Sequence, residues 1–300
     1  MTASQHTGAD VLVIGAGPAG SAAAAWAARN GRDVALVDAA TFPRDKTCGD
    51  GLTPRAVAEL DHLGLGEWVR SRAVNHGLRL NGFGHELELP WPGGSLPTVG
   101  SAGPRTELDE KIRDTAVAAG ARMIEGARAV DVTRDGDRVT AVTVQTAAGS
   151  HSIACTTLIV ADGVRSTLGK KLGREWHRDT AYGVAARAYV TSGRSHDPWI
   201  TSHLELRDPS GAIQPGYGWV FPLATGEVNI GVGSLATAKR PANVALRPLL
   251  EHYTDQRRTD WQLDGPVTRL QSALLPMGGS VSGVAGRNWA LIGDAARGGP

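Results

Sequence analysis

Two cysteines in 300 residues, Cys48 and Cys155, are too few for a disulfide framework, which points to a reducing compartment, the cytoplasm. An excess of charge of one sign is also missing. Thirty-one Lys and Arg stand against 30 Asp and Glu, so nothing attracts a polyanion, and nucleic acid is not expected as a partner. No window is apolar for long enough to span a bilayer. Residues 11–28 are almost uncharged, but a Gly-Pro turn interrupts them and Asp10 flanks them, which argues against a signal peptide or a span. Internal repeats and low-complexity tracts are absent. His76, His85, His177 and His203 lack the spacing of metal ligands, so no metal site is expected. What remains is an ordinary globular composition, 41% hydrophobic and 20% charged, long enough for one large domain or two ordinary ones.

The strongest positive signal lies near the start. Val11–Ile14 is a short apolar run that reads as a buried parallel strand. Gly15-Ala16-Gly17-Pro18-Ala19-Gly20 follows in the G-x-G-x-x-G pattern. The Ala-rich stretch to Arg29 then reads as a helix that ends at Asn30-Gly31. Residues 33–37 form a second apolar strand, closed by Asp38. Gly15 suits the tight turn, Gly17 lets backbone approach a pyrophosphate, and Gly20 lets helix and strand pack closely. The helix N-terminus offers N–H groups to the phosphates, and Asp38 can accept a ribose hydroxyl. Strand, glycines, helix, strand and acid in this order predict a dinucleotide site. An acid at position 38 argues against an NADP phosphate but does not separate NAD from FAD.

Further along, 54–70 reads as a helix with Ala56, Leu60 and Leu63 on one face, and 77–89 as a hairpin turning at 81–84. Residues 91–103, rich in Pro, Gly and Ser, read as loop. Thr106 can cap the next helix, with Asp109 completing a capping box and Leu108, Ile112, Ala116 and Ala119 as its apolar stripe. Strands are predicted at 128–131, 139–146 and 157–161. From about 180 to 275 the pattern shifts to alternating strands at 183–190, 201–206, 218–221, 227–232 and 268–274, interrupted by a helix near 243–253. A buried strand returns just before Gly293-Asp294. The fold class predicted is α/β: a Rossmann-like dinucleotide domain (9–75, 104–170 and 278–300) with a mostly antiparallel β-sheet substrate domain inserted (76–103 and 171–277), behind a disordered tail at 1–8. Ligands in such folds are expected between the domains.

Two more strands end in acid-glycine turns, Leu158–Ala161 before Asp162-Gly163 and Leu291-Ile292 before Gly293-Asp294. Each alone is ordinary turn chemistry. With the glycine-rich turn they form a set that resembles the FAD enzymes built like the aromatic hydroxylases. That resemblance implies noncovalent FAD, with Asp162, Gly163, Gly293 and Asp294 at the pyrophosphate and ribityl chain and Arg105 as a basic contact. The cofactor residues it implies also include Ala16, Pro18, Ala19, Arg44 and Val130.

Within that group, Pro43-x-x-x-x-Cys48-Gly49 is similar to the cysteine loop of the geranylgeranyl reductase family. Tyr217-x-Trp219-x-Phe221-Pro222, with eight residues before Gly231-x-Gly233, resembles that family's lipid-site motif. Cys48-Gly-Asp-Gly-Leu-Thr-Pro-Arg-Ala-Val57 and Gly216–Pro222 are similar to the branch that saturates one isoprene unit of menaquinone. The likeness runs from about 9 to 296. It implies a prenylated lipid substrate, menaquinone, or as the alternative geranylgeranyl groups on phospholipids, chlorophyll precursors or free diphosphate, with Cys48, Gly49, Asp50 and Gly51 beside the flavin and Cys48 as proton donor or relay. It also implies a protein docked on the inner face of the cell membrane. The electron donor has no signature. The residues agree with an apolar slot: Tyr217, Trp219 and Phe221 alternate and so share one strand face, and Gly231 and Gly233 would leave room beside them. The same pattern also suits a plain sheet face packed on core. Cys155 is read as structural.

Two other classes stay open. Flavin hydroxylases share the fold and both acid-glycine turns, and would consume oxygen. Family members continue past the Gly-Asp turn, whereas Arg297-Gly-Gly-Pro300 departs from their pattern, so the resemblance implies a C-terminally incomplete chain that could bind FAD weakly and turn over slowly or not at all.

Overall fold

A computed structural model describes residues 8–177, 179–237, 239, 241 and 245–296. The chain divides into two compact units: one of residues 1–44, 106–180 and 276–300, the other of 45–105 and 181–275. The expected tail 1–8 falls outside the described residues except for Gly8, which opens the first strand. Residues 243–244 and 297–300 also lie outside them.

The first unit is an α/β layer. Its sheet runs Arg122–Ile124, Val34–Val37, Gly8–Ile14, Gly149–Val160, Arg138–Thr146 and Arg128–Asp135, and Trp289–Leu291 also pairs with Gly149–Val160. The first four strands and Trp289–Leu291 pair in parallel, and the other two pair antiparallel. Continuous apolar runs such as Val34–Val37 are buried throughout, as parallel strands covered on both faces require. Gly149–Val160 is far longer than the 157–161 read from sequence. Its polar first half pairs with Arg138–Thr146, and only its apolar second half enters the parallel core. Leu12, Ile14, Val37, Val142, Leu158, Val160 and Leu291 fill that core, each worth roughly 1.5–3 kcal/mol of burial. The Asn288 side chain donates to the carbonyls of Val139 and Thr156 and accepts from the Val139 N–H, tying the last strand to two others.

The helix Pro18–Arg29 begins with proline, whose missing N–H has no helical acceptor to lose. The helix Arg105–Ala118 starts one residue before Thr106, so Thr106 is helical rather than its cap. Asp109 is fully buried and pairs with Arg44.

The second unit is built on a sheet in the order Leu263–Pro276, Tyr182–Ser192, Glu227–Ala236, Gly216–Pro222, Trp199–His203, Gly77–Gly82 and His85–Pro90. Tyr182–Ser192 to Trp199–His203 pair antiparallel, as do the two hairpin strands, while Trp199–His203 and Gly77–Gly82 are parallel. The helix Leu246–Arg257 covers one face, with Leu249, Leu250 and Tyr253 packed among Val190, Ile230 and Val232. The predicted helix 54–70 is two helices, Pro54–His62 and Gly66–Arg70, because Gly64 sits at φ +84° between them. The predicted loop 91–103 contains a strand, Gly100–Ala102, which pairs with Gly51–Leu52 and Ala73–Asn75.

The division falls at 44/45, not 75/76. Residues 45–51 make their side-chain bonds to Arg187, Tyr189 and Asn229 of the second sheet, so the cysteine loop belongs with that sheet.

A cleft of about 610 Å³ opens on the second unit, lined by Asn81, Phe83, Glu86, His203, Arg207 and Tyr253 among others. It contains none of the cofactor, substrate or catalytic residues expected from the sequence. Burial holds the His203 imidazole down to about 4, with the Arg257 charge adding to it, and its Nδ1 lies 2.6 Å from the Tyr253 hydroxyl. Below about pH 6.5 the unfolded chain takes up a proton there that the folded chain refuses until about pH 4. Stability is therefore intact above pH 6.5 and falls on acidification through that window, by on the order of 3 kcal/mol. Urea midpoints at pH 7 and pH 4.5 check this. His203→Gln, which keeps an acceptor without titrating, is expected to flatten the slope. An identical slope in both proteins would assign it elsewhere. Asp50 and Asp162, whose carboxyls burial raises, act in the opposite sense and cancel in the comparison.

Candidate functional site

The glycine-rich turn in the first unit has the geometry expected of each glycine. Gly15 sits at φ +100°, and a Cβ there would strike the Ala161 carbonyl. A Cβ at Gly20 would land on the Gly15 carbonyl oxygen, so helix and strand touch backbone to backbone. At Gly17 the nearest atom to such a Cβ is Nη2 of Arg44, at 3.3 Å. The first bond inside the helix runs from the Ser21 N–H to the Gly17 carbonyl, and a helix's earlier N–H groups have no helical acceptor.

Asp38 is fixed for an acceptor role. Its Oδ2 accepts the Ala16 N–H at 2.7 Å and its Oδ1 the Ala40 N–H at 2.8 Å. Arg44 is held over the Phe42 ring, 4.9 Å from its centroid, and by Asp109 at 3.0 Å. Sequence reasoning missed Asp109, because its spacing from Thr106 imitates a capping box.

The two acid-glycine turns lie in the same unit. Asp162 Oδ2 accepts the Leu168 N–H at 3.1 Å, while Oδ1 is buried without a partner, and burial raises the carboxyl above its ordinary range. Gly163 and Gly293 sit at φ +82° and +60°, and a Cβ at Gly293 would come within 2.8 Å of the Ala19 methyl. The late turn, with Asp294 in it, thus packs beside the glycine-rich one. Val130 is half-buried in Arg128–Asp135. An open cradle at Gly17, an anchored acid at Asp38 and an orphaned acceptor at Asp162 fit the phosphates and hydroxyls of a flavin dinucleotide.

The second unit brings the cysteine loop onto the aromatic strand. Tyr217, Trp219 and Phe221 do share one face, with successive ring centroids 6.0 and 6.2 Å apart. They differ in burial: Tyr217 is 45% exposed, Trp219 only 6%. The room at Gly231 is already occupied, since Trp219 lies directly across the ladder and its indole fills the space a Cβ would take. Around Gly233 contacts are ordinary, the Trp219 ring lying 3.6 Å from a Cβ there. Glycine at 231 serves the aromatic's own seat. Gly231→Ala is expected to overpack it, lowering stability by about 1–3 kcal/mol and the thermal midpoint accordingly. An unshifted midpoint would mean that the indole moves freely.

Gly49 and Gly51 lie against Phe221, where a Cβ would approach its ring to 2.8 and 3.2 Å. Asn229 joins the parts: its Oδ1 accepts the Trp219 indole N–H at 2.9 Å, and its Nδ2 donates to the Cys48 carbonyl and to Asp50 Oδ2, each at 2.9 Å. Tyr189 donates to the same Asp50 oxygen at 2.6 Å. Arg187, fully buried, stacks on Tyr189 with its carbon 4.7 Å from the ring centroid and pairs with Asp45. Arg105 is buried and bears electrostatically on Asp50. Cys48 is half-buried and Cys155 buried, and burial pushes the Cys155 thiol up to about 11, which suits an inert structural residue. Among the described residues no group of three His, Cys, Asp or Glu could hold a metal ion.

A nucleotide cradle on a parallel sheet, with a second β-unit carrying a cysteine loop, defines an FAD-dependent oxidoreductase. The family model described as "FAD binding domain" matches residues 8–258, and the cofactor is FAD. The chain belongs to that family and, within it, to the menaquinone reductases. A protein of Mycolicibacterium smegmatis named menaquinone reductase is 63% identical over 292 residues, 97% of this chain and 71% of that one. Digeranylgeranylglycerophospholipid reductase 1 of Methanopyrus kandleri is 29% identical, over 96% of this chain and 73% of its own. The crystal structure of a geranylgeranyl bacteriochlorophyll reductase-like protein from Thermoplasma acidophilum shares the fold, with a TM-score of 0.80 at 24% identity over 96% of this chain and 71% of its own.

Proposed function

We propose that this chain is a reductase that saturates an isolated C=C of a prenyl chain, with one isoprene unit of menaquinone as its substrate. The observation that carries this reading is the seating of the Cys48 loop on the aromatic strand through Asn229, whose amide bonds both the Cys48 carbonyl and the Trp219 indole and so sets the cysteine loop against the apolar wall. The menaquinone reductase likeness supports the substrate; the weaker phospholipid reductase likeness marks the alternative prenyl substrate.

Bound FAD, once reduced, supplies the hydride. The chain has three further tasks. Gly15, Gly17, Gly20, Asp38, Arg44, Asp162, Gly163, Gly293 and Asp294 hold the cofactor, with Arg105 and Val130 as further contacts. Tyr217 offers its exposed ring to the prenyl tail, backed by Trp219 and Phe221. An isolated alkene accepts hydride poorly, so alignment and exclusion of water must contribute much of the acceleration. Cys48 gives a proton from its thiol to the second alkene carbon. Menaquinone is a bilayer lipid, so the protein works at the inner face of the cell membrane. No helix among the described residues is long and apolar enough to cross one.

The test is mass analysis of menaquinone after incubation with the FAD-loaded protein and a reductant. A product heavier by two hydrogens in its tail supports the reading. Oxygen uptake with a hydroxylated product would replace it with the hydroxylase reading, and a saturated phospholipid with untouched quinone would reassign the substrate.

A further inference from the structure

Residue 50 combines features that contact with a cofactor leaves unexplained. Its side chain is 1% exposed, with Oδ2 accepting from Tyr189 and Asn229 and Oδ1 buried without a partner. Its backbone is left-handed, at φ +63°, a region most side chains avoid and Asp and Asn tolerate. The same turn aims its own N–H at Cys48 Sγ, 3.4 Å away. Asn229 holds both ends of this segment, the Cys48 carbonyl and the Asp50 carboxyl, with one amide group.

The charged groups around it do not make it a simple ion pair. The hydrogen bonds of Arg187 go to Asp45 and to the carbonyls of Lys46 and Arg269. Burial raises the Asp50 carboxyl, while the Tyr189 and Asn229 bonds and the charges of Arg187 and Arg105 pull it back.

We infer that Asp50 is a positioning residue for Cys48: its side chain, pinned to the sheet by Tyr189 and Asn229, holds the left-handed turn that points its own N–H at the cysteine sulfur. The kinetic consequence rests on the reading of Cys48 as proton donor. When the S–H bond breaks and the proton forms the new C–H bond, the electron pair stays on sulfur. A fixed N–H donor favours that anion, and the thiol regains its proton from water.

The experiment is a double-mutant cycle with an independent readout on the oxidised, FAD-loaded protein. Asp50→Ala is expected to lower kcat about tenfold or more with KM unchanged, the loss of one hydrogen bond to a charged atom. Asp50→Asn, which keeps the acceptor and tolerates the left-handed turn, should stay within about threefold of wild type. In a Cys48→Ala background Asp50→Ala should cost nothing further. Equal costs in both backgrounds, or Asp50→Asn as slow as Asp50→Ala, would overturn the inference. If Asp50→Ala does not fold, Tyr189→Phe takes its place in the cycle.

Hydrogen exchange at the residue-50 amide decides the structural claim without turnover. It should quicken about tenfold in Cys48→Ala, which removes the acceptor, and in Tyr189→Phe, which loosens the anchor. Unchanged exchange in both variants overturns the inference. Full activity in Cys48→Ala together with quickened exchange would sink the proton-donor reading and leave the positioning intact.

Discussion

Cys48→Ala and Cys48→Ser are expected to retain FAD with an unaltered visible spectrum and to lose about 100-fold or more in turnover, the range that a positioned acid contributes. The sulfur is half-buried in a loop held by the Asn229 bond to its own carbonyl and by Phe221 against Gly49 and Gly51. Neither of these contacts uses the thiol; the sulfur accepts the Asp50 N–H, so its removal should free that amide while the Asn229 and Phe221 contacts keep the loop in place. The measurement is single-turnover reduction of the prenyl substrate by the prereduced protein, with the spectrum as a fold control. Wild-type rates in both variants would remove Cys48 from the mechanism. Loss of the flavin band would instead make it a cofactor contact.

Gly20→Ala is expected to abolish FAD retention. The added methyl would sit on the carbonyl oxygen of Gly15, with the Ala161 side chain 3.0 Å away, and neither is the far end of a flexible side chain. The helix Pro18–Arg29 must then move off the sheet, and its N-terminus moves with it. Overpacking of this kind costs about 1–3 kcal/mol of stability, and the displaced turn no longer offers its N–H groups to the pyrophosphate. The visible spectrum after FAD loading and desalting checks this. A yellow Gly20→Ala protein would show that the contact relaxes without moving the turn. Gly163→Ala is the comparison: its added methyl would meet nothing within 4 Å, so its cost is backbone strain at φ +82° alone.

The strand–turn–helix–strand unit with Asp38 was legible because each part is specified locally: apolar runs, glycines at fixed offsets, an Ala-rich helix and an acid at a strand end. The same holds for the shared face of Tyr217, Trp219 and Phe221, which the two-residue strand period dictates. Reading failed where a local pattern had a nonlocal use. Asp109 looked like a cap and is the buried partner of Arg44. Gly231 looked like space for a ligand and is filled by Trp219. The strand read at 157–161 begins at Gly149, because Arg138–Thr146 satisfies the backbone of its polar first half.

The amino-acid sequence by itself therefore determined the nucleotide-binding turn and the α/β class with an inserted β-sheet. The tertiary structure alone decided what holds Cys48. Asp50 meets Tyr189 139 residues away and Asn229 179 residues away, and the contact exists only because strand pairing places both partners under the cysteine loop. No periodicity or spacing encodes such a meeting, since a hydrogen bond between distant residues depends on ladder register and sheet order. Both emerge only when the whole sheet is assembled.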